Sequence, residues 1–270
     1  MTAAGETIVV ADVGNTRIKL AVVGAGLTAT GLPEVSRRQD LLSREFRPEN
    51  LREWLERVAA GPALVLVASV HDRAAVGFEA AIAEVTATGP RPLRQRRVLG
   101  EHLPIAVEVD EPGRVGIDRV AAAAAVAVAK EPGRPAVVVD CGTATTVDLV
   151  SAEGRFLGGA ILPGPGLLAR ALAEGTSRLP AVADLDTGAV PAMPGRNTQQ
   201  AIAAGIGFGM RGAVARLVAE ATAVVGPRPQ LFLTGGSRGI VRDALAEATE
   251  IPDLVLHGIA LAAGRLQSRP

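Results

Sequence analysis

The sequence predicts an α/β protein built from two similar domains, and three observations carry that reading. Apolar runs rich in β-branched residues, which read as buried strands, alternate along the chain with stretches of helical spacing. One short pattern occurs twice. "IVVADVGNTRIKLAVV" near the start and "AVVVDCGTATTVDLVS" near the middle each climb an apolar run to an Asp, skip a residue, then give Gly and a Thr. The two copies lie too far apart for a solenoid, whose period is ~20–50 residues. Duplicated α/β domains facing each other across a ligand cleft explain the spacing. The break is expected within "DEPGRVG", giving domains of residues 1–115 and 116–270.

Each element has a local reason. Residues 7–11 are β-branched and apolar and read as a buried strand; "DVGNT" is a turn; "RIKLAVV" alternates and reads as a returning strand ended by "GAG". In "ENLREWLERVAA" the apolar positions Leu51, Trp54, Leu55 and Val58 fall on one helical face. "ALVLVASV" is a buried strand and "AAVGFEAAIAEV" a helix. "GPRPLRQRR" reads as a solvated loop, with a nucleic-acid patch as the alternative. "IDRVAAAAAVAVAK" has strong helix propensity and is stopped by "PGRP". Strands "AVVVD", "TVDLVS" and "RFLGGAIL" follow, then a helix over "GLLARALAEG". Residues 197–225 form a long helix with Asn197 as cap and Gln200 as its third-position partner. "QLFLTGG" is a strand running into a Gly turn, and a helix is expected at 238–249.

Composition narrows the function. The chain of 270 residues is 48% apolar, enough for a real core, and its formal net charge is zero. A nucleic-acid binder carries a basic excess and aromatic stacking platforms; here aromatics are 2%, with no Tyr and a single Trp. The one cysteine, Cys141, excludes an internal disulfide and fits a reducing compartment. It reads as a small buried residue beside a turn, or else as a nucleophile. The N-terminus lacks the basic and apolar regions of a signal peptide, and the Ala/Val stretch 120–129 is too short to span a bilayer. A soluble cytoplasmic protein that needs neither membrane nor nucleic acid is expected.

The doubled turn carries the chemistry. Gly lets backbone N–H groups approach a ligand without a Cβ in the way, and Thr and Asn add donors that suit phosphate oxygens. An Asp at a strand end can hold a metal, through water as Mg²⁺ prefers. Ordinary hairpins also use Asp and Gly, so the weight comes from having a copy in each half. "LTGG" at 233–236 is either a backbone platform for a flat ligand such as a purine or a plain strand-to-helix turn. In "VGIDRV", Asp118 and Arg119 open a strong helix whose dipole favours the carboxylate anion. Asp118 could accept a proton from a substrate hydroxyl and Arg119 could clamp a carboxylate; a charge-complemented helix start is the alternative. Gly207, Gly209 and Gly212 spell the dinucleotide fingerprint, but inside a helical run, where close helix packing within a subunit or across a dimer explains them better. His71, His102 and His257 are scattered without metal-ligand spacing and read as structural.

Taken in order, "DVGNT" at 12–16, "GIDR" at 116–119, "DCGTATT" at 140–146, the "GGAILPG" run at 158–164, "LP" at 179–180 and "NT" at 197–198 resemble the type III pantothenate kinases over nearly the whole chain. That family belongs to the actin-like, sugar kinase and Hsp70-like ATPase superfamily, so the resemblance implies two ribonuclease-H-like domains. It implies ATP-dependent phosphorylation of pantothenate to 4'-phosphopantothenate, the first step of coenzyme A biosynthesis, by a homodimer. Asp12, Val13, Gly14, Asn15, Thr16, Arg17, Ile18 and Lys19 would bind ATP, with Asp12 near Mg²⁺, and Thr143 would add a contact. Asp118 would be the general base; Gly116, Ile117, Asp118, Arg119 and Thr198 would line the pantothenate site. Asp140 would hold the monovalent cation, K⁺ or NH₄⁺. One position departs from the family: a pocket Tyr is replaced by Val109. A kinase of another small hydroxyl compound and a non-catalytic nucleotide-binding regulator are the alternatives.

Overall fold

The computed structural model describes residues 6–89, 92–183, 185, 188–189 and 191–266. In chain order the elements are β1 (Thr7–Val13), β2 (Arg17–Leu27), β3 (Pro33–Leu42), α1 (Pro48–Val58), β4 (Ala63–Ser69), α2 (Asp72–Thr88), β5 (Leu93–Arg97), β6 (Ala106–Val107) and α3 (Ile117–Ala129). They continue with β7 (Ala136–Cys141), β8 (Ala144–Val150), β9 (Arg155–Pro163), α4 (Pro165–Glu174), α5 (Thr198–Val225), β10 (Gln230–Thr234), β11 (Thr249–Glu250), α6 (Leu254–Leu261) and α7 (Ala263–Leu266).

The chain divides into two compact units. The first comprises Met1–Ala106, Asp110–Ala129 and Leu254–Pro270; the second comprises Val107–Val109 and Lys130–Asp253. The contacts therefore group the chain differently from the expected break at residues 115 and 116. Helix α3 and the C-terminal helices fall with the first unit, because α3 packs on α6 and both lie on the sheet that begins the chain.

The first unit's sheet runs β3-β2-β1-β4-β5. β1 pairs antiparallel with β2 and parallel with β4. One face of β1, carrying Val9, Ala11 and Val13, packs with Leu51, Trp54, Phe78 and Val85 of α1 and α2. The alternate residues point the other way, where Val10, Leu64, Leu66 and Ala68 are buried and α3 and α6 lie. In the second unit the run β9-β8-β7-β10-β11 repeats this order, with β6 added at its edge. β7 is antiparallel to β8 and parallel to β10, as β1 is to β2 and β4. The repeated sequence is thus a repeated hairpin at the centre of two like sheets. Here Val137, Val139, Cys141 and Val147 pack with Ile202, Ile206, Met210 and Val214 of α5. By length and composition α5 is the one described helix able to cross a membrane; in this fold its buried stripe covers the second sheet.

Four stretches differ from the sequence reading. β2 does not stop at "GAG" but continues to Leu27, held by irregular pairing with β3. β3 itself has no apolar periodicity; its residues "PEVSRRQDLL" are strand because β2 offers a free edge. The "GPRPLRQRR" stretch is in part the edge strand β5, with Pro90 and Arg91 outside the described residues. There Arg94 pairs with Glu6, and Arg97 faces Asp72 and Glu79. Residues 238–249 are not a helix but two short helical turns leading to β11. Arg238 and Arg242 both bond Glu250, which β11 holds beside β10, so the chain is pulled out of helical register. The Asn197 cap is present, accepting from Gln200 N at 2.9 Å, but the Gln200 side chain reaches Arg196 N instead of the cap residue's own N–H.

The α3–α6 crossing depends on Gly258, where an added Cβ would stand 2.0 Å from Ala121 O. Gly258→Ala should therefore destabilise the protein by about 1–3 kcal/mol through overpacking. Gly77→Ala, at an exposed α2 position with nothing within 4 Å, should stabilise it by about 0.5–1 kcal/mol. Urea unfolding of the two variants checks both signs.

Candidate active site

In the first unit, two predicted segments come to one side of one sheet. Asp12 is the penultimate residue of β1 and alternates with Ala11 and Val13, so it lies on the face away from α1 and α2, where α6 contacts β1 and α3 contacts β4. Cross-strand pairing sets Lys19 directly beside Asp12 and Asp40 beside Lys19. Arg38 bonds the Asp40 carboxylate through two nitrogens and, with Lys19 and Arg17 nearby, holds its pKa below the ordinary carboxylate value.

The Gly14–Arg17 turn links β1 to β2, closed by Gly14 N donating to Arg17 O at 3.0 Å. Asn15, Thr16 and Arg17 are exposed on it, while Ile18 is buried below. Ser43, just beyond β3, braces the turn twice: its N–H bonds Thr16 O at 3.0 Å and its hydroxyl bonds Gly14 O at 2.9 Å. Nothing in the sequence marked Ser43, since β3 itself was not legible.

Asp118 lies in the first turn of α3, half-buried with Gly116, Ile117 and Arg119. Its Oδ1 accepts from Arg119 N at 2.8 Å. A Cβ on Gly116 would stand 2.6 Å from that same Oδ1 and 3.6 Å from Val70 Cγ1. A side chain at 116 would therefore press the Asp118 carboxylate out of its present position over the helix start, next to the loop that follows β4.

The second unit holds the other predicted residues. Asp140 and Cys141 end β7; Gly142 N closes the turn onto Ala144 O at 2.9 Å, and Gly164 N bonds Thr143 O at 2.9 Å. Thr143 is exposed, and Cys141 is fully buried in the apolar core, which rules out the nucleophile reading. The "LTGG" turn closes directly on Asp140. Gly235 has φ +92, and a Cβ there would stand 2.4 Å from Cys141 O and 2.5 Å from Asp140 Oδ1. Arg238 fastens this turn, donating to Gly235 O at 2.9 Å and to Glu250 at 3.0 Å. The cross-strand partner of Asp140 is Thr146, where Asp12 has Lys19. Thr198 is the exposed first residue of α5, and Val109 Cγ1 packs over Gly158 of β9.

The three histidines serve structure: His71 caps α2 by accepting from Ala74 N, His102 accepts from Leu99 N, and His257 bonds Pro33 O. Among the described residues no group of three or more His, Cys, Asp or Glu is gathered as a metal site. The turns do fit lighter demands. A single carboxylate at Asp12 suits Mg²⁺, which keeps several waters and takes phosphate oxygens. At Asp140 the carboxylate Oδ1 and the main-chain Cys141 O both lie against the Gly235 turn, oxygen ligands that a monovalent cation could take.

A pair of like sheets, each with an Asp-x-Gly turn at its first hairpin, is the architecture of the actin-like and sugar kinase fold. Solved structures share that fold. A protein of Campylobacter jejuni described as a conserved Baf family transcriptional activator matches with TM-score 0.59 at 16% identity, over 97% of this chain and 100% of the other. One of Sinorhizobium meliloti described as a 2-dehydro-3-deoxygalactonokinase matches with TM-score 0.53 at 17% identity, over 97% and 100%. The model of the type III pantothenate kinase family matches residues 8–220. A type III pantothenate kinase of Rhodopirellula baltica is 34% identical over 266 residues, covering 92% of this chain and 95% of that one. The chain belongs to the type III pantothenate kinase family.

Two outcomes follow from this geometry. Gly116→Ala should swing the Asp118 carboxylate off Arg119 N, and if that carboxylate acts on the substrate it should lower kcat about 10- to 100-fold with the KM for ATP held within about twofold; a native kcat would show that the present carboxylate position is not needed for turnover. Glu250 is held below its ordinary pKa of 4.5 by Arg242 and then Arg238. Its contribution is complete above that ordinary value and disappears as pH falls through the lower folded value. Thermal midpoints measured across the acid range should therefore drop less steeply below about pH 4.5 in Glu250→Gln than in the native chain.

Proposed function

We propose that this chain transfers the γ-phosphoryl group of ATP to the primary hydroxyl of pantothenate, giving 4'-phosphopantothenate and ADP, with Asp118 as the base. The observation that carries the assignment is that Asp12 and α3, whose first turn bears Asp118, belong to one unit, with the start of α3 against Val70 just beyond β4, the parallel neighbour of β1. Arg119 N fixes one carboxylate oxygen of Asp118, and its second oxygen takes the hydroxyl proton as the substrate oxygen attacks the γ-phosphorus in line with the departing ADP. Such transfer asks chiefly for positioning and charge stabilisation, which the Asp12–Lys19 stretch supplies through its turn and the Lys19 ammonium. Mg²⁺ held through Asp12 neutralises phosphate charge when bound. Thr143 adds an ATP contact; Arg119 takes the pantothenate carboxylate, with Ile117, Thr198 and Val109 along the substrate. Val109 offers neither the ring nor the hydroxyl of the Tyr it replaces.

Asp140 takes K⁺ or NH₄⁺ in this reading, because Thr146 beside it brings no competing positive charge. We place the protein in the cytoplasm as a homodimer. The exposed side of α5, with Gly205, Gly209, Gly212 and Phe208, supports close packing of a second copy.

ADP formation measured with and without pantothenate and K⁺ tests the assignment. Asp118→Asn should lose about 10²- to 10⁴-fold in kcat. Asp12→Asn should chiefly raise the Mg·ATP requirement, and Asp140→Asn should chiefly alter the K⁺ dependence. Nucleotide binding without any pantothenate-dependent turnover in the native chain would sink the kinase reading and favour a regulator. Identical defects at Asp12 and Asp140 would sink the division of roles.

A further inference from the structure

Beyond these residues, the two halves solve one local problem in different ways. Each central strand ends on a carbonyl, Val13 O in β1 and Cys141 O in β7, immediately before its Gly turn. In each unit the neighbouring parallel strand turns away at this point. The register pairs Val13 with Ser69 in the first unit. In the second it pairs Asp140 with Thr234, which carried one step further sets Gly235 opposite Cys141. Ser69 and Gly235 are therefore equivalent positions, as are His71 and Ser237 two residues on.

In the second unit the bond is direct: Ser237 N donates to Cys141 O at 2.9 Å. It can be direct because Gly235, without a side chain and at positive φ, lets the loop close on the carbonyl. In the first unit the equivalent N–H, of His71, does not reach Val13 O. It donates to Ser69 Oγ at 3.0 Å, and Ser69 Oγ donates to Val13 O at 2.9 Å. The hydroxyl has one proton, and its other acceptor, His71 O, is farther at 3.2 Å. Ser69 thus inserts a relay where its counterpart has a single bond.

What the relay joins is functional. On one side Val13 leads into Gly14 and the Asp12–Arg17 turn. On the other, Val70 lies between the two relay residues Ser69 and His71, and its Cγ1 sits beside Gly116 at the start of the Asp118 helix. We infer that Ser69 is a positioning residue for phosphoryl transfer, setting the phosphate turn and the base-bearing helix start in register through one hydroxyl. The inference rests on the kinase reading for its consequence, but not for its geometry.

The test compares the native chain with Ser69→Ala and Ser69→Thr. Amide hydrogen exchange in the segments 12–18 and 70–76, read without substrates, should accelerate about tenfold in the Ala variant and return to native in the Thr variant. In the ADP assay the Ala variant should lose about tenfold in kcat with both KM values within about twofold, and Thr should restore it. Unchanged exchange in Ser69→Ala would overturn the relay. Faster exchange with native kcat, or a kcat loss that Thr does not restore, would overturn the positioning role. If the native chain itself shows no pantothenate-dependent turnover, the kinase reading falls, and the exchange result alone decides the relay.

Discussion

Everything at the site depends on how a strand ends when it is hydrogen-bonded on both edges and buried on both faces. β1 and β7 are such strands: antiparallel to one neighbour, parallel to the other, and lined by residues of near-zero exposure. Inside the sheet both edges of each strand are paired with a neighbour. At the last residue the partners part, one into a hairpin and the other into a loop before a helix or helical turn. A buried carbonyl left unpaired there is costly, so the chain must supply donors from the departing segments. The donors that satisfy the strand end come from the segments that flank the two Asp-Gly turns.

The duplication then explains both the sameness and the difference of the halves. The same strand order gives both an Asp on the face opposite the main helical core, a Gly turn and a parallel neighbour whose loop closes over it. The neighbours of the Asp differ. Asp12 has Lys19 beside it, and Asp140 has Thr146 with the Gly235 backbone against it. The two carboxylates therefore stand in different cross-strand company, one beside an ammonium and one beside a hydroxyl. Position 69 shows the same divergence, a hydroxyl in one half and a glycine in its counterpart.

Much of this was legible beforehand because apolar periodicity and turn chemistry are local. "IVVADV" and "AVVVD" read as buried strands, and "IDRV" before an alanine-rich run reads as a helix start. The supporting residues were not legible. Ser43 follows a strand whose residues are polar and charged, and that strand exists because β2 offers it an edge. "RGIVRDALAEAT" has the propensity of a helix, yet Glu250 draws Arg238 and Arg242 onto β11, and propensity of a few tenths of a kcal/mol per residue yields to such contacts. Ser69 looked like any residue at the end of a strand.

The sequence by itself determined the strand–turn–strand units, their duplication and the family, since each rests on neighbours within a few positions or on motifs in fixed order. Tertiary structure alone decided the grouping of the chain, with α3 and the C-terminal helices on the first sheet through the close approach at Gly258. It alone decided which residue lies beside each Asp, because strand register joins positions that sequence distance does not. It also decided which side chains became supports, because a hydroxyl acquires that role only when folding leaves a buried carbonyl within its reach.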